Sequence, residues 1–162
     1  MLRTTTSTIL AITLLPTLAA ATEGNFLTCT VGAKQLSLSI QDETVTYRYG
    51  PRGNPELVLQ EPVATVDYQP WNGIGRGMKT AVQFNNYSYT YAVVTSPSDK
   101  QTNNNTIWYN AWISIRLDND FTFLECKEEF SGDPLDAIHD AKTAINQCWS
   151  QAQEKWLEDC AD

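Results

Sequence analysis

The chain contains few side chains whose types and spacing could carry out catalysis. His139 is the only histidine, and it stands beside Asp140 in a segment with a helical pattern. A lone helical histidine is more often a surface or capping residue than a catalyst. The acidic pairs Glu128–Glu129 and Glu158–Asp159 are typical of a solvated face, since nothing in the sequence pairs them with a cleft. We therefore predict that the protein is not an enzyme.

Cofactor and metal motifs are also missing from the sequence. The chain has no phosphate-binding loop, no H-E-x-x-H zinc motif, no G-x-S-x-G nucleophile motif and no C-x-x-C redox pair. The alternating glycines at 73, 75 and 77 are not a dinucleotide fingerprint, because no strand–turn–helix unit surrounds them. We expect no cofactor and no resident metal.

The segment best suited to binding is residues 68–79, with the sequence YQPWNGIGRGMK. Glycines at alternate positions weaken a strand and allow backbone conformations that other residues avoid. One interpretation is a bulged corner of a barrel, in which Trp71 fills the core and Arg76 pairs with a local acid. The other is a recognition loop, because Trp and Arg dominate binding hot spots. The candidate partner-binding residues are Trp71, Gly73, Gly75, Arg76 and Lys79.

The residues around this loop have the alternating pattern of antiparallel strands. Between Phe26 and Cys126, apolar and polar residues alternate and are interrupted by short turns, with the longest run at residues 107–117. We predict a mainly β domain over residues 22–130, built as a small antiparallel barrel or curved sandwich of about eight strands. Of the two, we favour the barrel.

After residue 130 the pattern changes to the three-to-four spacing of a helix. Asp133 and Pro134 are typical of a helix start. Lys142 occupies one position where an apolar residue is expected. For residues 131–162 we predict one amphipathic helix of about 15–25 residues, which covers the sheet or, alternatively, binds a partner. Its apolar stripe consists of Leu135, Ile138, Ile145, Trp149, Ala152 and Trp156.

Four cysteines, an even number, favour two disulfides in an exported protein, and three pairings are possible. Cys29 lies in the first predicted strand and Cys126 in the last, as expected for a closing pair. Cys148 would then pair with Cys160, which requires the chain to turn back between them, since bonded Cα atoms lie within about 7 Å. A crossed pairing that ties the helix to the sheet stays open.

The first 21 residues have the pattern of a Sec-type signal peptide. Arg3 precedes a short apolar run at residues 9–15, and small residues follow at 19–21. This run is shorter than the roughly 20 residues of a membrane span. The net charge of −8 argues against nucleic acid and against a stable association with an anionic membrane. We therefore expect a periplasmic or secreted protein without stable membrane insertion.

Four segments resemble a family of small exported proteins of alphaproteobacteria. This resemblance implies export but no particular activity. The segments are FLTCTVG at 26–32, VTYRYGPRGNPEL at 45–57, PWNGIGR at 70–76 and DAKTAINQCW at 140–149.

The arrangement is also similar to the periplasmic inhibitors of C-type lysozymes. Cys29, Cys126 and the loop at 73–79 match that family's early cysteine, late cysteine and inhibitory loop. The family's serine-alanine-serine-glycine loop motif is absent, and the C-terminal segment with two cysteines is additional. The resemblance implies a small barrel that inhibits a lysozyme-like cell-wall hydrolase.

Two functions are therefore predicted for an exported binding protein. An acidic inhibitor would be attracted to a basic cell-wall hydrolase, where Arg76 could pair with cleft carboxylates. The alternative is a periplasmic ligand-binding or envelope-assembly module whose partner is another envelope component. Aromatic residues of the β domain could line its site, namely Tyr47, Tyr49, Tyr89, Tyr91, Trp108 and Trp112.

Overall fold

The computed structural model describes residues 24–71, 77–99, 106–158 and 160, and the predicted signal peptide at 1–21 lies outside them. In this part of the chain the helix α1 (Asp136–Ala144) is accompanied by twelve strands, which confirms the mainly β prediction. The strands are β1 (Asn25–Val31), β2 (Lys34–Gln41), β3 (Thr44–Gly50), β4 (Leu57–Pro62), β5 (Asp67–Gln69), β6 (Thr80–Asn86), β7 (Tyr89–Pro97), β8 (Trp108–Leu117), β9 (Asp120–Glu125), β10 (Phe130–Ser131), β11 (Cys148–Ser150) and β12 (Lys155–Leu157).

The first sheet consists of β1 to β4, paired antiparallel in sequence order. Asp42 and Glu43 connect β2 to β3 with φ angles of 48° and 57°, the left-handed conformation that a tight two-residue hairpin turn requires. The register places Leu38 opposite Tyr47. Both side chains are fully buried, so this face of the sheet is turned toward the core.

The other face of the first sheet is polar. Arg48 donates a hydrogen bond to Ser39 Oγ over 2.9 Å, and Gln60 donates one to Thr46 Oγ1 over 3.3 Å. Because side chains of a strand alternate between faces, these polar residues lie opposite the apolar ones that fill the core. This outer face is therefore mainly polar, although it also carries the exposed Val58 opposite Arg48.

The second sheet has the order β10-β8-β7-β6-β5, and β9 also pairs with β8. β8 is long enough for two partners on one edge, since residues 112–117 pair with β9 and residues 108–109 with β10. Val82, Val93 and Ile113 are fully buried on the inner face of this sheet. Their neighbours in sequence consequently face outward.

The two sheets pack face to face around one core and do not close into a barrel. The ring of Tyr47 in the first sheet lies 5.5 Å from Phe84 and 6.0 Å from Tyr91 in the second, measured between centroids. β4 ends at Pro62, which has no N–H for a further ladder bond, and no hydrogen bonds pair β4 with β5. The favoured closed barrel of about eight strands is therefore wrong, because the chain leaves one sheet and starts another.

The C-terminal segment is a short helix followed by a hairpin. α1 has nine residues, and Asn146 follows it with a left-handed φ of 63°, a conformation that commonly ends helices. β11 then pairs with β12, with Trp149 opposite Trp156. The predicted helix of about 15–25 residues is wrong beyond Ala144, because apolar residues seven apart can also be cross-strand neighbours in a hairpin.

α1 is attached to the sandwich by buried apolar side chains and by one carboxylate. Leu135 and Ile138 are fully buried in the common core. Asp133 Oδ1 accepts hydrogen bonds from the hydroxyl of Thr95 over 2.7 Å and from the backbone N–H of Leu135 over 3.0 Å. Asp133 thus satisfies a donor at the helix start and fixes the helix to β7.

Two disulfides are present, with the pairing that the sequence favoured. Cys29–Cys126 ties β1 to the residue after β9. Cys148–Cys160 spans the hairpin, and its Cα atoms are 5.7 Å apart because the chain turns back between β11 and β12. Within the residues that the structure describes, no helix has the length and apolar character to cross a membrane.

Candidate functional site

A groove of about 480 Å³ lies on the outer face of the second sheet, where three parts of the chain meet. Strands β5 to β9 supply its floor and one side, the described ends of the 68–79 segment supply another side, and the hairpin β11–β12 supplies the third. We call it the outer groove. Its lining residues are Gln69, Pro70, Trp71, Gly77, Lys79, Ala81, Val94, Trp112, Ser114, Phe123, Trp149 and Glu154.

The floor of the outer groove follows from the strand register. Gln69 stands opposite Ala81, Ala81 opposite Val94, and Val94 opposite Trp112, so these four residues form one row across four strands. The two middle side chains are small and the outer two are large. A depression in the sheet surface therefore runs between Gln69 and Trp112.

The 68–79 segment contributes Trp71 and Lys79 to the outer groove. Trp71 is 38% exposed and lies at the surface instead of filling the core. Lys79 places its Nζ 5.6 Å from the centroid of the Trp112 ring, a cation–π arrangement. Of the other candidate residues, Gly73, Gly75 and Arg76 lie outside the described part of the chain.

The hairpin that forms the third wall is fixed to the sandwich through Trp156. Its indole N–H donates to the backbone carbonyl of Tyr68 over 2.9 Å, and its ring lies 5.9 Å from the Tyr68 ring. Trp149 packs on Trp156 with ring centroids 5.8 Å apart and lines the groove together with Glu154. The Trp149 wall consequently depends on the hairpin being formed.

A buried lysine lies beneath this hairpin. The side chain of Lys142 is only 1% exposed, and its Nζ donates to the carbonyl of Val63 over 2.8 Å and to Gln147 Oε1 over 3.3 Å. A longer contact of 3.4 Å reaches the carbonyl of Ala64, and the ring of Trp156 lies 5.3 Å away. Burial lowers the pKa of the Lys142 ammonium to about 8, since the contacting acceptors are neutral.

Two tyrosine hydroxyls of the core lack hydrogen-bond partners. The hydroxyls of Tyr47 and Tyr68 are buried and unpaired. Burial raises the pKa of both phenols well above the usual value, and the carboxylate of Asp133 adds to the effect at Tyr68. Both side chains therefore stay protonated in the folded protein at alkaline pH values where free tyrosine ionises.

The aromatic residues predicted to line a common site lie on different faces. Tyr47 is part of the core, Tyr91 packs against it on the inner side, and Tyr89 is exposed. Trp112 alone of that set lines the outer groove. His139 is half-exposed, with its ring 5.3 Å from Trp156 in an edge-on arrangement, and stands outside the groove.

Apart from the 68–79 segment and Trp112, sequence reasoning missed the six other lining residues, Ala81, Val94, Ser114, Phe123, Trp149 and Glu154. Phe123 is 62% exposed and lies opposite Ser114. The alternation of Phe121, Phe123 and Glu125 with Leu124 was a usable sign of this outward face. Trp149 and Glu154 were assigned to a helix, so their place beside the sheet could not be found.

Among the described residues, no group of three or more His, Cys, Asp or Glu side chains could hold a metal ion. No protein-family model, no curated protein and no solved structure matches this chain. A function for the outer groove is therefore argued from the residues and the shape of the groove.

Proposed function

We propose that this protein is an exported, non-enzymatic binding protein and that its ligand occupies the outer groove. The observation that supports this most is the convergence of Trp71, Lys79, Trp112 and Trp149 on one depression. These residues come from a loop, a central strand and a disulfide-linked hairpin. Aromatic side chains around a few polar groups are typical of ligand sites.

The difference between the two outer faces supports the same conclusion. The outer face of the first sheet is a polar layer in which Arg48 and Gln60 hydrogen-bond to neighbouring side chains. On the second sheet, exposed Phe121 and Phe123 stack on each other with centroids 6.4 Å apart, beside the groove. The exposed Val58 on the first sheet is a single aliphatic side chain, whereas a pair of stacked exposed aromatic rings beside a groove is typical of a binding site.

The side chains of the outer groove are suited to holding a ligand. Lys79 and Glu154 are its ionisable groups among the described lining residues, and Gln69 and Ser114 supply neutral donors and acceptors. Two disulfides are typical of proteins in an oxidising compartment, which agrees with export. Binding in the periplasm or outside the cell is therefore the function that we propose.

A thermal-shift screen tests the proposal. The purified, oxidised protein is incubated with sugars, amino acids, nucleotides, quaternary ammonium ions and fatty acids, since a ligand that binds only the folded state raises the Tm. Trp71→Ala and Phe123→Ala remove exposed groove side chains, and Tyr87→Ala is the matched aromatic control. Tyr87 is fully exposed in the β6–β7 turn, away from the groove.

We expect at least one compound class to raise the Tm of the parent protein and of Tyr87→Ala, with smaller shifts for Trp71→Ala and Phe123→Ala. If no compound stabilises the protein, or if both groove variants respond like the parent, the outer groove is not a ligand site.

The inhibitor hypothesis stays a prediction beside this proposal. It depends mainly on Arg76, Gly73 and Gly75, which lie outside the described residues. The flanking Trp71 is exposed, and the net charge of −8 would favour a basic hydrolase as partner. Titration of the protein against C-type, G-type and I-type lysozymes in a cell-wall lysis assay tests it directly.

A further inference from the structure

We infer that the ligand of the outer groove is a short, uncharged saccharide. This inference rests on the proposed function, because it names the ligand class of the same site. A pyranose ring presents flat faces of C–H groups and a rim of hydroxyls. A site for it needs aromatic surfaces and hydrogen-bonding groups side by side.

The outer groove offers both kinds of surface. Trp71, Trp112, Trp149 and Phe123 provide aromatic surface on more than one side of the depression, while Ser114 provides a hydroxyl on its floor. Phe123 and Trp71 are the most exposed of the four. A purely apolar ligand would strip water from the polar lining groups without replacing their hydrogen bonds, which is unfavourable. A saccharide can replace those bonds with its own hydroxyls.

The charges of the groove argue against ionic ligands. Lys79 already holds its ammonium over the Trp112 ring, so a quaternary ammonium ligand would compete with a resident cation for that aromatic face. An anionic ligand would approach a chain of net charge −8, and Glu154 lies on the rim. Among the described lining residues, one cation and one anion balance each other, and an uncharged, hydroxyl-rich ligand is the best complement to that pair.

The shape of the groove also fits a flat ligand. Ala81 and Val94 on the floor are small enough to let a ring approach the sheet, and the Trp149 wall stands above one side. The volume of about 480 Å³ lies within the range of about 300–1,000 Å³ for small-molecule sites. The site therefore suits a short oligosaccharide better than a long acyl chain.

Calorimetric titration with neutral trisaccharides tests the inference. The probes are N,N′,N″-triacetylchitotriose, cellotriose, maltotriose and mannotriose, and intrinsic tryptophan fluorescence serves as a second readout, since three indoles line the groove. We expect at least one probe to bind, with about tenfold weaker affinity for Trp71→Ala and Phe123→Ala, as estimated for one lost aromatic contact. Tyr87→Ala should bind like the parent. Far-UV circular dichroism verifies that each variant is folded.

The possible results separate this inference from the proposed function. If no trisaccharide binds at 10 mM, or if binding is unchanged in both groove variants, the saccharide inference is overturned. If a different class of compound binds the parent protein and its binding is weakened in the groove variants, the outer groove is still a ligand site, but for that other class. If no class of compound responds to the groove substitutions, both proposals fail together.

Discussion

Replacing Lys142 by methionine should change how the stability of the protein depends on pH. The pKa of the Lys142 ammonium is about 8 in the folded protein and about 10.5 in the unfolded chain. Between these values the unfolded state binds more protons than the folded state. The free energy of unfolding therefore rises with pH in this window.

The size of the effect follows from the pKa difference. One pKa unit corresponds to about 1.4 kcal/mol, and the full difference is worth about 3 kcal/mol. Between about pH 7 and about pH 9.5, Lys142 should contribute about 2 kcal/mol of added stability. Tyr47 and Tyr68 act in the opposite direction, because their pKa values are raised and the unfolded phenols release protons near pH 10. Their contribution is small below pH 9.5.

Urea unfolding at a series of pH values, monitored by tryptophan fluorescence, measures this contribution. Lys142→Met retains the aliphatic stem but cannot titrate, so its stability should lack the rise of the parent protein. Lys155→Met is the matched control, because Lys155 is exposed on β12 of the same hairpin. The reasoning is refuted if Lys142→Met gains as much stability as the parent over this range.

Four other changes test the hairpin, the β3–β4 loop and the glycine-rich loop. Replacing both cysteines of Cys148–Cys160 by serine removes a cross-link with a sequence separation of 12, worth about 3 kcal/mol, so hairpin amides should exchange hydrogen faster than amides of β6 to β8. Gly50→Ala should lower the free energy of unfolding by at least about 2 kcal/mol, since its Cβ would collide with the backbone nitrogen of Glu56. Gly53→Ala, with positive φ but open space, should cost about 1 kcal/mol. On the inhibitor hypothesis, Arg76→Ala should abolish inhibition of a basic lysozyme in a cell-wall lysis assay, because Arg76 would pair with carboxylates of the cleft.

Each of these expectations has an opposing result. Uniformly faster exchange throughout the sandwich would show that the hairpin is not a separate stability unit. Equal losses for Gly50→Ala and Gly53→Ala in urea unfolding would remove the steric explanation for Gly50. Stoichiometric inhibition of a lysozyme that Arg76→Ala leaves unchanged would exclude Arg76 as the inhibitory contact.

The alternating pattern predicted the mainly β character and the long strands, because side-chain direction in a strand depends on neighbours in sequence. The predicted number of about eight strands is wrong, since the described residues form twelve strands in three sheets and β5, β10, β11 and β12 are too short to show an alternation. Residues 107–117 indicated the long strand β8, and β8 spans Trp108–Leu117. Whether the sheets close into a barrel depends on the long-range pairing of β4 with other strands, which alternation does not encode. The choice between barrel and sandwich therefore needed the structure.

The hairpin shows how two readings of one pattern compete. Trp149 and Trp156 are spaced as on a helix face, but Asn146 ends the helix and the Cys148–Cys160 bond requires a reversal of the chain. A Cys148–Cys160 bond is incompatible with a continuous helix, since such a helix would hold the two cysteines about 18 Å apart. The pairing of the cysteines therefore predicted the chain reversal correctly. The covalent constraint was more informative than the periodicity, because it fixes a distance in space.

Lys142, which lies beneath the hairpin, illustrates why some contacts around the site could not be predicted from the sequence. It was recognised as a break in an apolar stripe, and the structure buries it at the position that the stripe predicted. What makes that burial possible is the carbonyl of Val63, 79 residues earlier, together with Gln147. Gln147 is only five residues away in sequence, but the carbonyl of Val63 becomes a neighbour only after the sandwich forms, so no local pattern predicts that contact. For the same reason the outer groove, whose floor and Trp149 wall come from distant segments, could be recognised only after folding had brought them together.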